Sequence, residues 1–204
     1  MKRSNVTKDK GEKRLKSIIK ISIMIIIFGI LLWMIFDVFK VQDKMLRLIY
    51  PKEYEIIVTK YAKENNLDPL LVFAIMKAES NFDSNITSHS GACGLMQLMD
   101  QTAREVALKI GYSYTGVEIL FDPETNIMLG TAYFSMLYQQ YHNVPIALTA
   151  YNAGIGNVQK WITNGIIKED GSNIENIPFT ETNNYVRKIL RDYDIYKELY
   201  SFDN

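Results

Sequence analysis

Glu79 is the residue best placed in this chain to move a proton. It closes the run Asp68-Pro69-Leu70-Leu71-Val72-Phe73-Ala74-Ile75-Met76-Lys77-Ala78-Glu79. Within it Leu71, Ala74, Ile75 and Ala78 recur at helical spacing and mark a buried stripe. Glu79 falls four residues after Ile75 and eight after Leu71, at the edge of that stripe. A carboxylate so placed is partly desolvated, which disfavours its charged form, raises its pKa and leaves it a proton to donate near neutral pH. Position alone also admits a plainer alternative, an exposed glutamate at a helix end before the chain turns at Ser80-Asn81. Three more clusters carry polar or aromatic groups at fixed places: Gly94-Leu95-Met96-Gln97 after a Ser/Gly loop, Ala150-Tyr151-Asn152-Ala153-Gly154, and Glu181-Thr182-Asn183-Asn184-Tyr185. Each alone can be read as packing and capping, since glycines end helices and Met, Leu and Tyr fill cores.

Helices must position these groups. Asp68 is a good N-cap and Pro69 suits the first helical position, so a helix begins there. An amphipathic stretch precedes it between Glu53 and Asn65. Further helices are expected from about Gly94 through Met99, from Thr102 to Ile110, from Glu124 to Tyr141 and from Ile146 to Ala153. Two more are expected at 157–163 and from Thr180 through Tyr196. Asn164 to Pro178 reads as a loop that could meet substrate or a partner. No stretch alternates at period two, so the fold class is mainly α.

The composition narrows the classes. Net charge is zero, but residues 1–20 hold eight Lys/Arg against Asp9 and Glu12, a net of +6, which leaves −6 on the rest. A basic surface for nucleic acid is therefore not indicated. His89 and His142 stand apart and give no metal-ligand cluster, so no metal or other cofactor is expected. Cys93 is the only cysteine, so no intramolecular disulfide can form. Its small size suits tight packing in the loop before Gly94.

The basic residues 1–16 run into an apolar stretch, 17–39, of the length a helix needs to cross a bilayer, with Trp33 near its outer end. Phe36-Asp37-Val38-Phe39-Lys40 offers no small-residue cleavage site, which favours an uncleaved signal anchor over a removed signal peptide. The positive flank puts the N-terminus in the cytoplasm and the remainder outside a single-pass cell membrane. Residues 40–52 read as a juxtamembrane connector, whose part from Val41 to Pro51 reaches at most about 35–40 Å if extended. Residues 53–204 read as the folded domain.

Taken together, in this order and spacing, the clusters closely resemble the catalytic domain of the soluble lytic transglycosylases, a lysozyme-like glycoside hydrolase family, over about Tyr54 to Tyr196. The resemblance implies a lysozyme-like helical domain acting on peptidoglycan glycan strands. It makes Glu79 the sole catalytic acid and base. It places Ser88, Gln97, Met99, Ala150, Tyr151, Asn152, Glu181 and Tyr185 in the sugar-binding groove. Asp100 departs from the family pattern, where a proline often follows the methionine. The implied reaction needs no second carboxylate, because the 6-hydroxyl of N-acetylmuramic acid closes a 1,6-anhydro ring. Tyr151 or Tyr185 is expected to hydrogen-bond Glu79. A goose-type lysozyme would instead need a second carboxylate, for which Asp83 and Asp122 are candidates by type, and a non-catalytic glycan-binding or scaffold protein would need no half-buried acid. An envelope-assembly partner fits an anchored enzyme that clears a local passage in the wall.

Overall fold

The computed structural model describes residues 3–200, without the side chains of 3–19, 35, 36 and 39. The chain divides into two compact units, Met1–Ile49 and Tyr50–Asn204. In the first, α1 spans Arg3–Ile49. Its large apolar side chains between Ile21 and Met34 are exposed, and a run of that length covers every face of a helix. Among the described residues no helix is long and apolar enough to cross a membrane; side chains at 17–19, 35, 36 and 39, within the expected span, lie outside those residues. The residues expected as a connector continue α1 as far as Ile49. No glycine or proline interrupts 41–49, and Arg47 pairs with Asp43 one turn back at 3.0 Å. At helical rise that stretch covers about 14 Å, well short of its extended reach.

The second unit starts at Tyr50. Tyr50 is buried; its hydroxyl donates to Asp192 Oδ1 and its carbonyl accepts from the Tyr200 hydroxyl. Among the described residues seven helices follow: α2 (Glu55–Glu64), α3 (Pro69–Glu79), α4 (Asp100–Ile110), α5 (Pro123–Tyr141), α6 (Val144–Ala153), α7 (Ile155–Thr163) and α8 (Thr180–Tyr200). Short 3-10 turns occupy Val117–Phe121 and Ile174–Asn176. Among the described residues the only extended pairing is two isolated bridges, Thr87 with Cys93 and Cys93 with Leu98. The mainly α reading therefore holds.

The helix starts follow the sequence signals. The side chains of Asp68, Asp122 and Asn143 accept from the backbone N–H of Leu70, Thr125 and Ile146 at 2.8, 2.8 and 3.0 Å. Each is followed by a proline in the first turn, where a missing N–H costs nothing. Helix α3 is buried at every position from Leu71 to Met76, so it runs through the core and emerges only at its last turn. It packs on α8, while α5 packs on α6 and α4. Ile127, Phe134 and Leu137 of α5 join the larger core with α3, α6 and α8; Leu129 and Ala132 face a smaller one with Leu98, α4 and Leu120.

One expected helix is absent. Residues 94–97 form a tight turn between the bridged Cys93 and Leu98, because Gly94 and Gln97 adopt left-handed backbone at φ 75° and 47°. A side chain at Gly94 would collide with the Leu120 carbonyl and the Asn126 amide, so close approach requires glycine there. The buried amide of Asn126 replaces helical hydrogen bonds. It accepts from the Met96 N–H at 2.7 Å and donates to the carbonyls of Cys93 and Leu120 at 3.0 and 2.8 Å.

Candidate active site

Glu79 is the last residue of α3, half-buried where the helix leaves the core. Ser80 fixes the exit: its hydroxyl donates to the Leu95 carbonyl at 2.8 Å and accepts from the Phe82 N–H at 3.1 Å. Asn81 and Phe82 are then left-handed, at φ 48° and 68°, which turns the chain sharply. Burial pushes the Glu79 carboxyl up to about 7, against a smaller opposing effect of the Tyr185 hydroxyl and the positive charge of Lys188. The Tyr185 hydroxyl donates to Glu79 Oε1 at 2.6 Å. That leaves Oε2 as the oxygen that carries the proton of the neutral acid.

A cavity of about 460 Å³ opens beside Glu79. Of the residues expected in the groove, Ser88, Gln97, Met99, Tyr151, Asn152 and Glu181 line it. Tyr185 does not line it and touches Glu79 from α8. Ala150 is a correction. It is fully buried and packs into the larger core, because its position on α6 turns it away from the neighbouring Tyr151 and Asn152. The Tyr151 hydroxyl donates to the Met96 carbonyl at 2.7 Å. Burial and the Glu79 charge hold its pKa well above the ordinary tyrosine value. Of the two tyrosines considered, Tyr185 is the one bonded to Glu79.

The two aspartates offered as a second carboxylate are engaged elsewhere. Asp122 accepts from both the backbone N–H and the hydroxyl of Thr125 at 2.8 and 2.7 Å, and Asp83 accepts from the Asn85 N–H at 2.9 Å. Neither lines the cavity, whose second carboxylate is the exposed Glu181.

Several lining residues were not singled out by sequence: Ser90, Ala92, Ala153, Phe179 and Thr182. Phe179 is 48 % exposed, and Trp161 meets its ring edge-on with centroids 4.9 Å apart. Its backbone carbonyl accepts from the Asn183 N–H at the start of α8. Ser88 accepts from the Ala92 N–H at 3.0 Å and closes its own loop.

A helical domain whose one half-buried acid ends a core helix beside an open cleft is of the lysozyme-like class. Residues 56–173 match the model of the Transglycosylase SLT domain, and this chain belongs to that family. It is 38% identical over 150 residues to a soluble lytic murein transglycosylase of Salmonella typhimurium, covering 72% of this chain and 23% of that one. It is 37% identical over 116 residues to a membrane-bound lytic murein transglycosylase C of Sodalis glossinidius, covering 52% and 32%. The solved structure of an inactive glutamate-to-glutamine mutant of the lytic transglycosylase Slt from Pseudomonas aeruginosa aligns with a TM-score of 0.69 at 37% identity, over 75% of this chain and 25% of that one. The chain thus matches about a quarter to a third of the length of these relatives.

Proposed function

We propose that this protein is a membrane-anchored lytic transglycosylase that cleaves the β-1,4 bond between N-acetylmuramic acid and N-acetylglucosamine without water, with Glu79 as acid and then base. The observation that carries the reading is a half-buried carboxyl at the edge of a saccharide-sized cleft, its pKa pushed up to about 7. Near neutral pH about half such groups hold a proton, which suits a residue that must both give and accept one. Glu79 Oε2 protonates the glycosidic oxygen as the bond breaks. The carboxylate then takes the proton of the muramic acid 6-hydroxyl as that oxygen closes the 1,6-anhydro ring. Tyr185, bonded to Oε1, keeps the carboxyl oriented through both steps. Met99 and Phe179, 43 % and 48 % exposed in the cleft, offer apolar contact to sugar faces.

Anchoring by residues 17–39 is part of the proposal. It is supported by the exposed apolar faces of α1 between Ile21 and Met34 and by a relative named as membrane-bound. The N-terminus would then be cytoplasmic and the cleft outside, where the glycan lies.

Glu181 favours one alternative. A second carboxylate in the same cleft could orient a water and make the enzyme a hydrolytic muramidase. Mass spectrometry of muropeptides released from peptidoglycan by the full chain separates the two. Products lighter by one water, absent with Glu79→Gln, are expected. Reducing-end products that disappear with Glu181→Gln would replace the transglycosylase reading with the hydrolytic one.

A further inference from the structure

Hydrogen bonds within the protein fix which atom each cleft amide offers to a ligand. Gln97 sits at φ 47°, a left-handed backbone that disfavours a side chain, so its amide is held there against a local cost. The nitrogen of that amide donates to two backbone carbonyls, Gly94 at 2.8 Å and Ile86 at 3.2 Å. Carbonyls only accept, so the orientation is determined and Oε1 is left as an acceptor for the cleft. Asn152 is set the opposite way. Thr182, 2 % exposed, donates its hydroxyl to Asn152 Oδ1 at 2.7 Å; a buried hydroxyl hydrogen needs an acceptor, and with that oxygen supplying it the Asn152 NH₂ is left as a donor. One cleft therefore presents a fixed acceptor and a fixed donor from separate elements, the 94–99 loop and the end of α6.

An acetamido group carries the matching pair, a carbonyl that accepts and an N–H that donates. A sugar hydroxyl can rotate to serve as either, so it gains little from fixed polarity. We propose that Thr182 is a positioning residue that makes this cleft selective for N-acetylated sugars. It holds Asn152 as a donor to an acetamido carbonyl while Gln97 accepts from an acetamido N–H. The inference rests on the glycan-cleaving reading for its substrate class and adds the device that reads the acetyl group. Thr182 touches no substrate in this scheme and acts through Asn152.

The test compares two neutral tetrasaccharides by calorimetry on the full chain carrying Glu79→Gln, so that no turnover intervenes. Chitotetraose bears an acetamido group on each sugar, whereas cellotetraose bears a hydroxyl at the same carbon. Chitotetraose is expected to bind at least tenfold more tightly, since a site built around a hydrogen-bonding group rejects an analogue lacking it. Thr182→Val should bring that preference to within about threefold by weakening chitotetraose far more than cellotetraose, and Thr182→Ser should restore it. Asn152→Asp, which replaces the donor by an acceptor at equal size, should abolish the preference. A merely structural role for Thr182 would weaken both ligands together. Preference undiminished in Thr182→Val, or absent before any change at Thr182, overturns the inference. Preference as expected with no anhydro products from the unmutated chain would instead remove the catalytic reading and leave this one standing.

Discussion

Glu79 is delivered by the last turn of a capped helix buried around its whole circumference, whereas Gln97 and Met99, lining the same cavity, come from a loop with left-handed residues. The helix meets its hydrogen bonds internally and needs only a cap at Asp68. The loop cannot, and borrows Asn126 from α5 and the Tyr151 hydroxyl from α6 to satisfy its backbone. The proposed acid thus rests on local structure, and the polar and apolar groups that line the cavity beside it rest on contacts distant in sequence. Changes on the helix side should alter chemistry with the fold intact; changes beneath the loop should alter the fold first.

The largest effect tests the helix side. Glu79→Gln should lower product release by about a thousandfold while circular dichroism stays unchanged; residual turnover near the unmutated rate would mean that the acid lies elsewhere. The loop side is tested next by Asn126→Ala, which strips three hydrogen bonds from buried partners. It should cost about 3–5 kcal/mol of stability in urea titrations, and a cost under about 1 kcal/mol would show that the loop supports itself.

A third prediction ties Glu79 back to stability. Its folded pKa, about 7, lies above the ordinary 4.5, so the folded state binds the extra proton between those values. Stability is full below pH 4.5, declines as pH rises to 7 and is flat beyond. Glu79→Gln removes that decline, so its advantage over the native chain should open across this window to about 3 kcal/mol. A gap that does not change with pH would mean that Glu79 is not desolvated.

Smaller effects sharpen the contrast. Tyr185→Phe removes a donor that favours the Glu79 carboxylate. The alkaline limb of the rate profile should move up by roughly half to one pH unit, with turnover down about tenfold. Phe179→Ala should raise KM about threefold and leave kcat alone, because the contact proposed for it would be made in ground and transition state alike.

The same contrast explains what the sequence disclosed. Asp68-Pro69, Asp122-Pro123 and Asn143 before Pro145 are local signals, and the helices they start are where they were expected. Glu79 was legible because a helical stripe leads to it. The 94–97 turn was not, since Leu95, Met96, Leu98 and Met99 mimic helical spacing. What decides against a helix is the backbone at Gly94 and Gln97 and a partner at Asn126 in another element. Ala150 was misplaced because a motif carries its core residue along with its cleft residues. Phe179 went unnoticed, and Thr182 was given no role within its cluster, for the same reason that Asn126 was missed: their partners, Trp161 and Asn152, lie outside any local window.

The edge-on pair of Trp161 and Phe179 also has an optical consequence. The chain has two tryptophans, and Trp33 belongs to α1, so replacing Trp33 by phenylalanine leaves an indole directly behind the cleft as the sole long-wavelength emitter. Occupancy of the cleft could then be read as a change in emission, without label or turnover, and inhibitors could be titrated against the intact chain in a cuvette.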